Sequence, residues 1–573
     1  MHSGNWLVLL ALVSCSNATA SRFNSDAGSD SSTTRLDDGG PSLGEGGPSV
    51  GGGYCSGDLR SVLDASGNII ETCAEDSGCS AGKCVPACNA AASSKGNIGC
   101  LFMVSTPSFY TTMKPPCFAA FVANAWPRAA KLEVTHNGSS YDVTKFGRIA
   151  GTGNAATWLP VPATGVPPGE VAVLFLSHDP SSTHGLGGSM ACPVTPAINA
   201  STAYYTGTAA ATGRTSGFTI ASDTPVSAYD IMPFGGAKSY LPSAQLLMPV
   251  SAWGDNFVVA QPPASPSGSY QAHWLHILAA VDNTEVSIVP TLALPLGVNV
   301  PAAPANAVSK FTLNAGEFIQ WQNTHDISGS VVSSTQPVAV VGGQLELCWG
   351  TKTSGSGGCD SAHQLVPPVR ALGDEYAIAP IPSRLSTKVE ESISYRIVGA
   401  VDGTTLTFDP PVAAAPQSTM LGKVDTFETT GPFTVKSQDN AHPFYVAQII
   451  GGAGGVGDEE YVNVLPPAQF LNRYIFFADP SYTTTQLVII RVKGPKGFAD
   501  VTVAGVGKVT GWKSFGASYE YASVSTATGP ESATSDSPFG VVVWGFASYA
   551  SYAYPAGGNA AGINQVVVPV IPH

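Results

Sequence analysis

From about Gly99 to the end of the chain, short runs of alternating apolar and polar positions are separated by Gly, Asn, Asp and Pro. In one such run, Ala129, Lys131 and Glu133 point one way and Ala130, Leu132 and Val134 the other. Period two is the pattern of a half-buried strand. Asn137-Gly138 and Asp402-Gly403, each between strand-like runs, predict tight hairpins, because their two turn positions need positive φ. Before this region the pattern is absent. Residues 16–53 are mostly Ser, Gly, Asp and Thr and cannot bury enough apolar surface to offset the entropy of ordering, which predicts a flexible tether.

The strand pattern recurs at long range. Ser222-Asp223-Thr224-Pro225-Val226 is echoed by Ser334-Thr335-Gln336-Pro337-Val338, by Asp439-Asn440-Ala441-His442-Pro443-Phe444 and by Ser535-Asp536-Ser537-Pro538-Phe539, the prolines standing 112, 106 and 95 residues apart. A second landmark, Met248-Pro249-Val250 with Trp253-Gly254-Asp255, returns as Pro367-Pro368-Val369 with Leu372-Gly373-Asp374, and more weakly as Leu465-Pro466-Pro467 before Arg473-Tyr474-Ile475. These predict four β units. In each, the first proline is expected at the start of a buried strand and the Gly-Asp pair in a turn. A period of about 100 residues suits tandem β-sandwich-like repeats in an all-β chain, with a β-propeller as the alternative. The expected divisions are a leader (1–15), the tether (16–53), a Cys-rich segment (54–98) and β units at 99–236, 237–361, 362–452 and 453–573.

Cysteines add cross-links to this picture. Cys55, Cys73, Cys79, Cys84, Cys88 and Cys100 crowd a segment too small to form a sufficient core, so disulfide staples are expected. The Cys84-Xaa3-Cys88 spacing leaves a zinc site as the competing reading. A disulfide between Cys348 and Cys359 would pin an otherwise mobile loop of small polar residues, a reasonable recognition surface, and Cys117 and Cys192 are then left to pair. Setting Cys15 apart, the eleven cysteines leave an even number, as expected in an oxidising compartment.

Charge narrows the partners. Charged residues make up 12% of the chain, and its 26 Lys and Arg form no basic stripe under a net charge of −14, so nucleic acid is not an expected partner. No apolar run is long enough to span a bilayer as a helix. The run Trp6 to Val13, ending in Leu12-Val13-Ser14-Cys15, resembles a bacterial lipobox, in which Cys15 would become the lipidated N-terminus and the sole membrane attachment. An ordinary signal peptide cut near Ala18 or Ala20 is the alternative, leaving a secreted protein.

Candidate chemistry is sparse. Gly187-Gly188-Ser189-Met190-Ala191 after His184 imitates a nucleophile elbow but lacks the flanking strand and helix. His273 and His276 are placed on opposite faces of one strand, against a shared metal. Asp458-Glu459-Glu460 follows a Gly-rich run and is expected in an exposed, solvated loop, with a cation or ligand contact as the alternative. Tyr549, Tyr552 and Tyr554 are expected either to form a contact patch or to pack in the core. No catalytic set, cofactor site or metal site is assigned.

Several stretches together resemble the N-terminal domain of IgG Fc-binding proteins and its bacterial relatives. They are Thr224 to Tyr229, Leu246 to Pro249, Ser334 to Gly343, Cys348 with Cys359-Asp360, His363 to Pro368, and Trp544 to Gly558. The resemblance implies an extracellular adhesive or binding domain that is not an enzyme. What it transfers is the scaffold and its habit of recognition; it does not establish immunoglobulin binding. The expected function is a bacterial cell-surface or outer-membrane binding protein that takes a protein or glycan partner on the loops of its β-domains. A secreted carbohydrate-active hydrolase and a structural envelope component are the alternatives.

Overall fold

The computed structural model describes residues 53–573 apart from 111–112, 185–187, 200–211, 240, 266–271, 357, 388, 454 and 572–573, so Cys15, the lipobox and almost all of the tether lie outside the described residues. Strands dominate, and the α-helices among the described residues are Ala87–Ser94 and the single turn Val143–Phe146. The chain is all-β, with curled, sandwich-like sheets.

The repeated proline explains how the sheets are joined. In the first assembly the long strand Phe218–Met232 begins beside Gly99–Val104 and Leu132–His136 and ends beside Phe118–Ala123 and Ser243–Leu247. Its register against Gly99–Val104 shifts between Ala221 and Val226, the stretch that holds Pro225. Val331–Leu347 and Gly529–Ala547 likewise exchange partner strands along their length, each within one sheet, with shifts around Pro337 and Pro538. Proline has no N–H for the ladder and a bulge re-aims a strand, so the proline marks the point where one long strand exchanges one set of partners for another. The expectation of a strand start holds only in the third assembly, where the long strand is broken into Phe433–Lys436 and Phe444–Ile450 on either side of Pro443.

The second landmark has a different cause from the turn expected. Pro249, Pro368 and Pro466 each cap a 3-10 turn, at Val250–Ala252, Val369–Ala371 and Pro467–Gln469. Gly254 lies within a strand, not a turn, and a Cβ there would strike Pro368; Gly99 stands likewise against Pro249, and Gly373 against Pro466. The glycines let the proline of one assembly seat on the strand of the one before. Asn137 and Gly138 take positive φ between Leu132–His136 and Ser139–Tyr141, as the hairpin requires.

The four assemblies close on themselves. Ser243–Leu247, Asp360–Leu365, Glu460–Asn463 and Ala550–Pro555 touch in sequence, and the last returns to the first. Asn97 N–H donates to Gly558 O at 2.9 Å across this closure. Between the first and fourth assemblies lies an aromatic core in which Phe121 meets Phe477 at 5.0 Å and Tyr229 stacks on Tyr554 at 4.8 Å. Tyr552 and Tyr554 are therefore core residues, and Tyr549 is exposed.

The small N-terminal segment depends on its cross-links. Cys55–Cys79, Cys73–Cys84 and Cys88–Cys100 surround a core to which Val62 contributes the one buried aliphatic side chain. Cys84 and Cys88 belong to different disulfides, which leaves no thiolate pair for zinc. The segment docks on the first assembly through Trp126, whose Nε1–H donates to Glu75 O at 2.8 Å beneath the Arg60 guanidinium.

Candidate functional site

The strand Val331–Leu347 runs into a loop closed by the Cys348–Cys359 disulfide, and Asp360–Leu365 leads back into the ring. Lys352, Thr353, Gly355 and Gly358 are exposed on this loop. The loop is nonetheless fixed, because it lies across the third assembly. Lys352 N–H donates to Glu428 Oε2 at 2.9 Å, Ser392 N–H to Thr353 Oγ1 at 2.7 Å, and Trp349 Nε1–H to Ser394 Oγ at 2.9 Å.

Beneath the loop, Asp360, Asp458, Glu459 and Glu460 are all fully buried. This corrects the expectation of a solvated Asp458-Glu459-Glu460 loop. The preceding glycines serve close packing: a Cβ on Gly451 would meet Trp349 and Ser354, and one on Gly457 would meet Phe546 and Ser551. A run that reads as a loose loop is thus held against two other parts of the ring.

The carboxylates differ in how well they are satisfied. Glu459 accepts from Trp349 N–H at 3.2 Å and Cys359 N–H at 2.9 Å, so it grips both ends of the stapled loop. Glu460 accepts from Tyr461 N–H at 2.8 Å and Ala553 N–H at 3.1 Å. Asp360 receives Ser551 N–H on Oδ2 at 2.9 Å but nothing on Oδ1. No donor reaches either carboxylate oxygen of Asp458, although its main-chain N–H and C=O both bond Ser551 Oγ, at 2.8 and 3.1 Å. Arg384 donates to Asp458 O at 3.1 Å and is already paired with buried Glu391.

Such crowding disfavours ionisation. Burial, reinforced by Asp458, pushes the Asp360 carboxyl well above the usual range. Burial and neighbouring Glu459 push Asp458 up to about 9, while burial also raises Glu459 and Glu460.

The remaining sequence candidates do not converge here. Gly187 lies outside the described residues, and Ser189 Oγ accepts from Ala191 N–H at 3.2 Å within a turn, with no helix following. His273 bonds Pro262 O at 3.1 Å, whereas His276 sits between Ser105 Oγ and Gln320 Oε1, each at 2.8 Å. Cys117 pairs with Cys192 inside the first assembly. Among the described residues one group of three metal-ligand side chains comes together, Glu346, Cys348 and Cys359, but its two sulfurs form the disulfide.

Sequence reasoning named Asp360, His363 and Ser551 only as part of the resemblance and gave them no role, and it passed over Arg384, Glu391 and Asp230, whose Oδ1 lies 2.8 Å from His363 Nε2. A signal for two of the acids was present. Asp360 and Asp458 stand at the same distance, eight residues, before the capping prolines Pro368 and Pro466, and so occupy one repeat position.

A disulfide-bonded, all-β ring that holds an exposed loop over buried structural acids has the build of a binding protein. The chain belongs to the IgGFc binding protein family, whose profile matches residues 243–545, a span that includes the stapled loop and all four acids. The family is one of binding proteins. One relative is the IgGFc-binding protein of Homo sapiens, 24% identical over 330 residues that make up 56% of this chain and 6% of that protein. The chain thus spans a small fraction of the human protein's length. Among the described residues no helix is long and apolar enough to cross a membrane.

Proposed function

We propose that this chain is an exported surface protein that binds a partner, a protein in the first instance, through the stapled loop 348–359. The observation that carries this reading is the loop itself, exposed at Lys352 and Thr353 yet held by a disulfide and by Glu459 at both ends. A loop ordered before binding loses little entropy when it engages a partner, which is how a small surface gains affinity. Family membership and the human relative's name support a protein partner, and immunoglobulin Fc belongs in the first screen with glycans beside it. Lipidation at Cys15 would anchor the chain, and the 16–53 tether would lift the ring clear of the membrane.

The test is a screen of the purified chain against immobilised Fc, other extracellular proteins and a glycan array. It is followed by the variant Lys352→Glu. Loss of binding at unchanged Tm supports the loop; undiminished binding places recognition elsewhere and overturns the assignment. For the anchor, Cys15→Ser should abolish lipid labelling and release the protein from the membrane fraction. Retention with unchanged labelling would refute it.

A further inference from the structure

We propose that Asp360 and Asp458 bind a divalent cation, Ca2+ by preference, which locks the stapled loop onto the ring. Three carboxylate oxygens, Asp360 Oδ1 and both of Asp458, are buried and receive no hydrogen bond. Buried polar groups are almost always partnered, and the Asp458 carboxyl meets only another acid, Glu459, so orphan oxygens on two neighbouring residues call for a ligand. The two residues are neighbours: Ser551 N–H donates to Asp360 Oδ2, Ser551 Oγ bonds the main-chain N–H and C=O of Asp458, and the Asp458 charge acts on the Asp360 carboxyl. They also occupy the same repeat position in consecutive assemblies, so the ring itself brings them together.

The ligand must be a cation. Arg384 is the guanidinium in reach, and it is bound to Glu391 and to main-chain oxygens rather than to either aspartate carboxylate. Two carboxylates filled out by main-chain oxygens and water form an all-oxygen set, which suits hard Ca2+ and not zinc. Mg2+ is less suited, since it demands a stricter octahedron and gives up water reluctantly. Loop locking follows from position. A Cβ on Gly358, in the loop, would fall on the Asp458 carboxylate, and the next residue, Glu459, holds both loop ends. This inference is independent of the partner-binding reading, because its test needs no partner.

The experiment titrates CaCl2 into the EDTA-treated full chain by calorimetry and records Tm at each concentration. One site per chain is expected, with Tm rising as the logarithm of Ca2+ concentration and a weaker response to MgCl2. Asp458→Asn should weaken Ca2+ binding about tenfold or more, since removing a charged ligand lowers affinity. Asp360→Asn is the second variant should one of them fail to fold, and Lys352→Ala, on the same loop, should bind Ca2+ as the parent does. The proposal is overturned if the parent neither binds Ca2+ nor gains Tm. It is equally overturned if it binds and both Asn variants bind as well.

Discussion

The four inner strands of the ring have two unlike ends. Where they finish, residues from all four assemblies, including Leu246, Trp253, Leu365, Leu465 and Pro555, line a small apolar pocket. Two side chains at that end are fully used: Trp253 Nε1–H donates to Met248 O at 3.0 Å, and Asn564 Nδ2 donates to Val369 O and Leu372 O at 2.7 and 2.9 Å. Where two of the strands begin, the acids are buried beside one committed arginine and several of their oxygens are unpartnered. One scaffold thus spends its stability at one end and accumulates it at the other. Orphaned charge is tolerated only where packing elsewhere holds the ring together.

The largest effect should come from the apolar end. Trp253→Ala removes a 4% exposed indole from the junction of assemblies and should lower unfolding free energy by about 3–5 kcal/mol in a urea titration, with the Ca2+ response intact. If the Ca2+ response vanished as well, the two ends would not be separable. Next comes the staple. Cys348→Ser with Cys359→Ser should cost about 2–3 kcal/mol, since the closed loop is short, and should weaken partner binding more than any substitution at the apolar end.

How much of this was legible follows the same division. Short-range turn chemistry at Asn137-Gly138 and the repeated prolines at Pro225, Pro337, Pro443 and Pro538 are local signals, and the all-β class and repeat could be read from them. The burial of Asp458, Glu459 and Glu460 could not, because it is set by Trp349, Ser354, Phe546 and Ser551, with Trp349 standing 110 positions from Glu459. The glycines before them were read by composition as a loop, although glycine also marks close approach, and single-sequence reasoning does not distinguish the two. Gly254 was misread for the same reason, its neighbour Pro368 being more than 100 residues distant.

A buried polar group with full partners tests the comparison from the other side. His276, bonded on both nitrogens, is held neutral by burial, with its pKa lowered to about 3; Ser105, Gln320 and His363 are the polar groups around it. Its folded-state pKa lies below the unfolded value near 6.5, so the unfolded chain takes up the proton first. Stability from this residue is complete above about pH 6.5 and falls by about 1.4 kcal/mol per pH unit as pH drops toward 3. Measured as the difference between the parent and His276→Gln across pH 4 to 7, the slope should be present in the parent and absent in the variant. Equal slopes would mean that the imidazole accepts a proton without breaking its contacts.

The smallest effect has the most informative sign. In EDTA, Asp458→Asn replaces a buried carboxyl that must take up a proton on folding with an amide that need not and that can donate to Glu459. The metal-free variant should therefore be more stable than the metal-free parent, by about 1 kcal/mol. With saturating Ca2+ the order should reverse, because the parent gains the ion's binding energy and the variant does not. A single pair of denaturation curves, with and without Ca2+, reads both signs. If Asp458→Asn were destabilising in EDTA, the carboxyl would already be satisfied within the fold, and the contrast between the two ends of the ring would collapse.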